Sequence, residues 1–293
     1  MKPAKFEFHA PRTLGEVLSL LDQYGEDARV LAGGQSLVPL MNFRILQPAA
    51  LISINHCPEL ARLSLEGGYL RIGALVRQIE AERSPLVQQH VPLLARALPQ
   101  VGGVANRNRG TVCGSLAHAD PLAELTAVAA ALDARFVISS VRGQREVSAK
   151  DFFIADLTTC IEPGEMLEAV LFPLAAPGTR AAFVEVGNRG HGFAVVGVGA
   201  QLVLDAGERV SEARIAAIGV DSVPLRLSDA EQALMGRALN ADALAAASEA
   251  ARQAVDPTGS FHADAAYKRR LVGTLVARAV QQAQGAPAGA ATA

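Results

Sequence analysis

The sequence is poor in cysteine and contains no tryptophan. Its 293 residues include three cysteines, Cys57, Cys113 and Cys160, which lie far apart. An iron–sulfur centre or a structural zinc site needs clustered cysteine ligands, so we expect neither on this chain. Scattered cysteines, odd in number, are typical of a reducing environment, and we therefore expect a cytoplasmic protein.

Long apolar runs and long runs of one charge are also missing. No uninterrupted apolar stretch reaches the roughly 18 residues of a membrane span, and the N-terminal segment MKPAKFEFHAP lacks the apolar core of a signal peptide. The formal net charge is −2, and no basic run is longer than Lys268-Arg269-Arg270. We therefore expect no membrane span, no secretion signal and no nucleic-acid partner.

Helix and strand patterns alternate through the first half of the chain. Thr13 and Glu16 form a capping-box pattern at the start of an apolar helical repeat, and Gly25 is expected to end that helix. Further patterns predict strands at 29–32, 51–54 and 69–72 and helices at 76–82, 92–98 and 122–132. This alternation predicts α/β character for the first half.

The segment PLAAPGTR at 173–180 concentrates proline and glycine, and we interpret it as a domain boundary. Beyond it, the pattern predicts an antiparallel meander and then alanine-rich helices that begin at a capping box formed by Ser228 and Glu231. The predicted strands are at 183–186, 194–204 and 210–218, and the helices extend to about 254 and over 263–284. The predicted division is a first domain at 1–176, a second at 177–285 and a disordered tail at 286–293.

Two loops combine glycine with small hydroxyl residues. The first lies in VLAGGQSLVPL at 30–40, and the second in NRNRGTVCGSLAHADPLAEL at 106–125. Each loop alone is equally well explained as a tight turn. Two such loops in one domain suit a pyrophosphate, because converging backbone amides and the hydroxyls of Ser36, Thr111 and Ser115 can hold it.

The better-known phosphate-binding motifs do not fit the sequence. A Walker A loop needs lysine after its last glycine, but Gln35 follows Gly34. A dinucleotide fingerprint needs three spaced glycines, and the segment Gly197-Val198-Gly199 is not followed by the third. The two loops therefore need another explanation.

The two loops together resemble the flavoprotein subunit of molybdenum hydroxylases, the family that includes xanthine dehydrogenase and aerobic carbon monoxide dehydrogenase. The resemblance rests on AGGQS at 32–36 and RGTVCGSLAHADP at 109–121, and it covers nearly the whole chain. It extends to IEPGEML at 161–167, to an Arg-x-Gly-x-x-Phe-Ala stretch at 189–195 and to the C-terminal AAYKRRLVGTLVARAV.

The resemblance implies an α+β protein with a two-subdomain FAD-binding fold of the vanillyl-alcohol oxidase type, followed by a small antiparallel sheet with helices. The two loops would hold the FAD diphosphate, Glu124 would contact ribityl or ribose hydroxyls, and Leu167 would lie near the isoalloxazine ring. The implied cofactor-binding residues are Ala32, Gly33, Gly34, Gln35, Ser36, Leu37, Thr111, Val112, Cys113, Gly114, Ser115, Ala117, Asp120, Glu124, Ile161, Leu167 and Phe193.

The sequence departs from the family pattern at two places. Cys113-Gly114 stands where many members have two glycines, and backbone contacts survive this change if φ at Cys113 is not positive. His191-Gly192-Phe193 stands where Gly-Asp and an aromatic residue are frequent, so the resemblance still implies an aromatic beside the flavin, but the acidic neighbour is absent.

Several single residues allow two interpretations each. His118 and Asp120 resemble a metal pair, but two ligands are one short of a catalytic metal site and more often form a loop hydrogen bond. Cys113 is either a redox thiol or a small buried hydrophobe. Arg107 and Arg109 either face the diphosphate or anchor the loop through ion pairs. The basic run 268–270 marks either a partner interface or a solvated helix face.

The sequence offers no nucleophile–base pair and no metal set, yet it carries the pattern of a redox cofactor site. That combination is typical of an electron-transfer subunit, whose chemistry belongs to the cofactor. The resemblance implies a heterotrimer, present twice, in which a large subunit carries molybdopterin and a small subunit carries two [2Fe-2S] clusters that feed FAD. The alternatives are a self-contained FAD oxidoreductase and a scaffold that has lost its flavin. The substrate and the electron acceptor stay open.

Overall fold

The structure is a computed structural model, and it describes residues 1–187 and 192–286. His191 and nearly all of the predicted tail at 286–293 therefore lie outside the described residues. Within these ranges the chain forms three sheets and one small hairpin, flanked by helices. No helix in the described ranges has the length and apolar character that a membrane span requires.

The strands are numbered in chain order. They are β1 (Glu7–His9), β2 (Ala28–Leu31), β3 (Ala50–Ser53), β4 (Leu63–Glu66), β5 (Tyr69–Gly73), β6 (Arg135–Ser140), β7 (Gly143–Ser148), β8 (Phe153–Ala155), β9 (Thr158–Thr159), β10 (Met166–Pro173), β11 (Arg180–Gly187), β12 (Ala194–Leu204), β13 (Val210–Ile218) and β14 (Leu225–Arg226).

The helices are numbered in the same way. They are α1 (Leu14–Tyr24), α2 (Leu37–Asn42), α3 (Gln78–Arg83), α4 (Pro85–His90), α5 (Pro92–Ala97), α6 (Val104–Arg109), α7 (Val112–His118), α8 (Glu124–Ala131), α9 (Ala149–Phe152), α10 (Ser228–Leu234), α11 (Ala241–Gln253) and α12 (Ala265–Gly285).

The first sheet is small and parallel, with strand order β1–β3–β2. Helix α1 packs against it, and Thr13 caps the helix as predicted by accepting a hydrogen bond from the Glu16 amide at 3.3 Å. The reciprocal half of the predicted capping box differs, because the Glu16 carboxylate accepts from the Arg12 amide at 2.7 Å. Gly25 ends the helix at φ +50, a conformation that favours glycine.

The second sheet is antiparallel, with strand order β4–β5–β10–β6–β7, so the α/β prediction was wrong for this part of the chain. Strand β10 pairs with β5 nearly a hundred positions earlier in the sequence, from Ala169 with Gly73 to Pro173 with Tyr69. Local patterns carry no information about such long-range pairing. Strand β7 was missed for a second reason, since its sequence GQREVS is almost entirely polar.

The third sheet follows the predicted meander, with strand order β11–β12–β13–β14. Helices α10, α11 and α12 pack beside it, with α12 against β11 and β12. The predicted capping box at Ser228 was wrong: Leu227 precedes the helix, and the Glu231 side chain instead accepts a hydrogen bond from the Ile215 amide at 2.7 Å. Glu231 thereby ties α10 to β13.

The basic run 268–270 is not a uniform solvated face. Lys268 is only 8% exposed, because the amphipathic α12 turns it toward the core of the third sheet, and burial lowers its pKa. Arg269 forms an ion pair with Asp256 at 2.6 Å. Arg270 is exposed. The solvated-face interpretation was therefore wrong for Lys268.

The third sheet shares a buried core with the preceding part of the chain. Phe183 and Ile218 belong to the same apolar cluster as Leu93 of α5 and Leu125 of α8. Outside this core, Asp133 accepts from two arginines of the third sheet, Arg214 at 2.9 Å and Arg226 at 2.6 Å. The apolar contact and the ion pairs together hold the sheet against α5 and α8, beside the site.

Candidate functional site

A cavity of about 890 Å³ lies where three loops meet. The first glycine loop (residues 32–36) connects β2 to α2, and the second glycine loop (residues 110–115) connects α6 to the first turn of α7. The third wall is the turn at 161–165 before β10. We call this space the main cavity. Its three walls come from distant parts of the sequence, and the folding of both sheets brings them together.

The first glycine loop presents unpaired backbone donors. The amides of Gly33, Gly34, Gln35 and Ser36 donate to no acceptor in the described part of the chain. Gly34 has φ +72, which side-chain-bearing residues rarely adopt. Consecutive amides around a left-handed residue form a concave set of donors that suits an anion.

The two glycine loops are in direct contact. A Cβ atom on Gly33 would overlap the carbonyl oxygen of Arg109. Arg77 reinforces the contact, since it donates to the Arg109 carbonyl at 2.6 Å and to the Asn55 side chain at 2.7 Å. The close neighbour at Gly33 is therefore the other loop.

The second glycine loop begins helix α7. The Thr111 hydroxyl oxygen accepts from the Gly114 amide at 2.9 Å and so caps the helix, which leaves its own hydrogen as the donor toward the cavity. The Ser36 and Ser115 hydroxyls make no hydrogen bond to another described residue. Cys113 lies within α7 with a negative φ, so its substitution for glycine leaves the backbone unchanged.

Arg107 and Arg109, adjacent to the second glycine loop, have different roles. Arg107 is buried, pairs with Glu82 at 2.6 Å and donates to the carbonyls of Val101 and Gly102 at 3.1 and 2.8 Å. It therefore anchors the loop, as the second interpretation of this residue held. The side chain of Arg109 is exposed, and its carbonyl is the group that contacts the first loop.

The third wall is held by a bidentate ion pair. Arg145 donates to both carboxylate oxygens of Glu165, at 3.0 and 2.7 Å, and also to the Cys160 carbonyl at 2.8 Å. Arg145 lowers the pKa of the Glu165 carboxyl. Gly164 supplies φ +83 at the turn. This arrangement fixes the start of β10, where Leu167 faces the main cavity.

Glu124 and His118 line the cavity, Glu185 lies on β11, and the pKa of each of the three side chains is shifted. Glu124 is 6% exposed, and burial raises its pKa to about 7. Burial and then the Glu124 charge raise the pKa of Glu185 to about 7. Burial lowers the pKa of His118. The Cys113 thiol is buried and its pKa is raised to about 12, so it is a small hydrophobic residue and not a reactive thiol.

The main cavity brings together every predicted cofactor-binding residue except Val112. Val112 is fully buried and faces the core. Phe193 lies at the rim and is 73% exposed. Gly192 lines the same rim, whereas its predicted neighbour His191 lies outside the described residues.

Sequence reasoning missed several residues that line the cavity. The clearest are Leu40 and Leu46 beyond the first loop, Gln78 of α3, Asn106 of α6 and Leu157 between β8 and β9. Leu40 carried a usable signal, since it follows the first loop by one helical turn. The others reach the cavity only through tertiary packing.

The donor set fits FAD. Unpaired amides on the first loop and hydroxyls on the second suit a diphosphate, and the volume suits a large cofactor. Among the described residues, no three histidine, cysteine or acidic side chains lie close enough to hold a metal ion. Asp120 instead accepts a hydrogen bond from the Leu122 amide at 2.9 Å, the loop bond that the second interpretation predicted.

A fold of this kind around such a cavity defines a flavin-binding protein, and comparison with known proteins agrees. Residues 4–175 match the family described as the FAD binding domain in molybdopterin dehydrogenase. Residues 181–283 match the CO dehydrogenase flavoprotein C-terminal domain. The chain therefore belongs to the FAD-binding subunits of molybdenum hydroxylases. It is an oxidoreductase subunit whose cofactor is FAD.

Individual relatives match almost the full chain. The 6-hydroxypseudooxynicotine dehydrogenase complex subunit alpha of Paenarthrobacter nicotinovorans is 37% identical, over 97% of this chain and 96% of its own length. The carbon monoxide dehydrogenase medium chain of Hydrogenophaga pseudoflava is also 37% identical, over 97% and 98%. A solved structure of carbon monoxide dehydrogenase from Hydrogenophaga pseudoflava superposes with a TM-score of 0.93 at 38% identity, over 97% of this chain and 99% of that one.

Proposed function

We propose that FAD lies along the main cavity with its diphosphate between the two glycine loops. The proposal depends on a run of four amides, from Gly33 to Ser36, that have no acceptor among the described residues and belong to residues that line the cavity. The hydroxyls of Thr111 and Ser115 supply further donors from the other side. Ala32, Leu37, Cys113, Gly114, Ala117 and Asp120 complete this part of the wall.

The remaining wall is suited to the rest of the cofactor. Glu124 is the buried acceptor for ribityl or ribose hydroxyls. Ile161 and Leu167 offer an apolar surface for the isoalloxazine ring, and Phe193 covers it from the rim. When bound, FAD supplies the redox chemistry. The residues of this chain bind it, orient it and exclude water.

The chain's role in the complex is electron transfer. Electrons arrive from the [2Fe-2S] clusters of a small partner subunit and leave through FAD to an external acceptor, while a large subunit holds molybdopterin and the substrate. Relatives are named for substrates as different as carbon monoxide and 6-hydroxypseudooxynicotine. This diversity among chains of one fold supports a substrate site on another subunit.

The small subunit docks on the segment that follows the first glycine loop. This segment, residues 37–46, has apolar residues on two sides. Leu40 and Leu46 line the main cavity, whereas Phe43 and Ile45 are 61% and 68% exposed. A partner seated on the outer side lies one short helix away from the cavity, and short distances favour electron transfer.

Four broader features belong to the same proposal. The fold is of the vanillyl-alcohol oxidase type, and the domains divide at 176/177 within the proline-rich segment. The complex is a dimer of heterotrimers. The protein is cytoplasmic, which is supported by three free cysteines, Cys57, Cys113 and Cys160.

Release and chromatography of the cofactor test the cavity assignment. We expect the purified chain to be yellow and to release FAD, since two donor loops exceed what the single phosphate of FMN can use. Release of FMN would contradict the diphosphate assignment. A colourless protein that binds no added FAD would favour the scaffold alternative.

A further inference from the structure

The turn between β8 and β9 holds a leucine in an unfavourable backbone conformation. Leu157 has φ +54, in the left-handed region that side-chain-bearing residues rarely adopt. It follows Asp156 in the two-residue connection between the paired residues Ala155 and Thr158. A tight turn with a positive φ at its second central residue is usually built with glycine or asparagine there. A leucine at this position therefore needs an explanation beyond the formation of the turn.

Leu157 is hydrogen-bonded to a second residue of the same conformation. Its amide donates to the carbonyl of Ala119 at 3.1 Å, and Ala119, which ends α7, has φ +51. Residues held in such conformations persist where the surrounding structure fixes them, and they concentrate at functional sites. The pair lies at the main cavity, because Leu157 lines it, as do His118 and Asp120 on either side of Ala119.

The side chain of Leu157 is not used to build the core. The residue is 53% exposed although it lines the main cavity, so it lies at the mouth of the cavity. An apolar side chain stabilises a protein by leaving water, and this one remains largely in water. The unfavourable turn and the exposed leucine together indicate a contact that the protein itself does not supply.

Leu157 lies at the same end of the main cavity as Phe193. The segment that follows α7 reaches the end of β13, since the Pro121 carbonyl accepts a hydrogen bond from the Gly219 amide at 3.0 Å. Gly219 in turn touches the start of β12, where a Cβ on this glycine would overlap the carbonyl oxygen of Val195. Phe193 stands two residues before that carbonyl, on the rim of the cavity.

Ile161, which we assign to the isoalloxazine ring, belongs to the same wall. It follows Leu157 by four residues, and both line the main cavity. Its amide donates to the Thr159 hydroxyl at 3.3 Å, and Thr159 lines the cavity between them. Leu157, Ile161 and Phe193 therefore surround the part of the cavity that the proposed function gives to the ring.

We propose that Leu157 covers one edge of the isoalloxazine ring and excludes water from it, and that the unfavourable turn holds the side chain in that place. The inference rests on the proposed placement of FAD in the main cavity. Contact between leucine and ring removes apolar surface of both from water, and this gain exists only when FAD is bound. The glycine loops recognise the diphosphate, whereas Leu157 recognises the ring.

The test is a titration of the flavin-free full chain with FAD and with ADP, which carries a diphosphate and adenine but no isoalloxazine ring. Leu157→Asn keeps the turn, since asparagine adopts the left-handed conformation more readily, but it removes the apolar cover. For this variant we expect the Kd for FAD to rise about tenfold and the Kd for ADP to stay unchanged. Leu157→Met restores an apolar side chain and is expected to restore the Kd for FAD.

Glu208→Asn is the matched control. It makes the same backbone change at φ +57, on the exposed connection between β12 and β13 and away from the main cavity. We expect this variant to bind FAD and ADP as the unchanged chain does.

Two further measurements separate a contact with the cofactor from a structural role. The flavin-free Leu157→Asn chain is expected to unfold at no lower temperature than the unchanged chain, because its turn is less strained. Quenching of the bound flavin's fluorescence by acrylamide is expected to be stronger in this variant, because one edge of the ring is open to solvent.

Several results would overturn the inference. They are an unchanged Kd for FAD in Leu157→Asn, an equal loss of affinity for ADP, a lower unfolding temperature, unchanged quenching, or the same loss of FAD affinity in Glu208→Asn. Failure of the unchanged chain to bind either FAD or ADP would instead contradict the placement of the cofactor in the main cavity.

Discussion

Gly33 and Gly34 are adjacent, but the structure requires glycine at each for a different reason. At Gly34 the backbone has φ +72, and a Cβ atom would meet Val38 and Leu31 at 3.1 and 3.2 Å. At Gly33 a Cβ atom would overlap the backbone of the second glycine loop at Arg109. Gly34 maintains a local conformation, and Gly33 maintains the contact between the two glycine loops.

We predict that Gly33→Ala separates the loops and lowers the stability of the chain by more than one added methyl group normally does. Backbone atoms must move to admit the Cβ, so we expect a loss of about 1–3 kcal/mol in the free energy of unfolding and a chain depleted of FAD. Thermal unfolding and the ratio of flavin to protein absorbance measure both. Gly15→Ala is the matched control, because nothing lies within 4 Å of its added methyl. Equal FAD content in the two variants would contradict the loop contact.

Thr111 combines a structural and a binding role, and a pair of variants separates them. Thr111→Val removes the oxygen that caps α7, so we expect a loss of about 1 kcal/mol of stability together with weaker FAD binding. Thr111→Ser keeps the hydroxyl and is expected to keep both. Chemical denaturation and FAD titration provide the measurements. If the valine variant binds FAD as well as the serine variant does, the hydroxyl has no part in the site.

At the residue scale, the sequence predicts side chains near the two motifs and little else of the site. The motif glycines and hydroxyls could be found because each loop is contiguous in sequence. Leu46 and Asn106 could not, because they approach the cavity only after distant elements pack together.

Among the elements, residues 37–46 carry the proposed docking surface. We predict that the double change Phe43→Ser and Ile45→Ser weakens association with the small subunit while the chain keeps its FAD, since both side chains are exposed and neither lines the main cavity. Size-exclusion chromatography of the co-expressed subunits measures association. Flavin absorbance is the internal check. Ile154→Ser, at an exposed position on β8, serves as the control.

Full recovery of the complex with the Phe43 and Ile45 changes in place would mean that the small subunit docks elsewhere on the chain. Loss of flavin in that variant would show instead that the segment supports the cavity.

The turn at 161–165 depends on the ion pair between Arg145 and Glu165. Because Arg145 lowers the pKa of Glu165, the stabilisation is present above the ordinary carboxyl pKa and is lost as the pH falls through the lowered value. We predict that Glu165→Gln costs about 1.5–3 kcal/mol at pH 7 and progressively less below about pH 4. Urea denaturation at both pH values checks this. A cost independent of pH would mean that packing, and not charge, holds the turn.

At the element scale, local sequence patterns predicted those helices and strands whose formation depends on local interactions. Helix α1 and strands β12 and β13 match their predicted positions, because their apolar repeats are long and regular. Strand β7 and the pairing of β10 with β5 were missed, because polar sequence and long-range register leave no local pattern. The capping box predicted at Ser228 does not form, because the Glu231 side chain accepts a hydrogen bond from the Ile215 amide instead.

For the whole molecule, we predict that the isolated chain holds FAD but cannot use the substrate of its complex. The chain has no identified base beside the flavin, and its clusters and molybdenum belong to partners. The assay compares the chain alone with the co-purified complex. Each is mixed under anaerobic conditions with the substrate that reduces, and so bleaches, the flavin of the complex. Dithionite serves as the control for a reducible flavin in both.

Bleaching of the isolated chain by that substrate would identify a self-contained oxidoreductase. Absence of bleaching in the chain, with bleaching in the complex, is the expected outcome.

The contact between Gly33 and the Arg109 carbonyl has a consequence for maturation in the cell. The contact between the loops forms only when the parallel sheet, whose strand β2 leads into the first glycine loop, has met helices α6 and α7, which flank the second. A newly made chain whose two glycine loops have not met therefore lacks the proposed diphosphate site. Retention of the yellow colour therefore reports that the two loops have met.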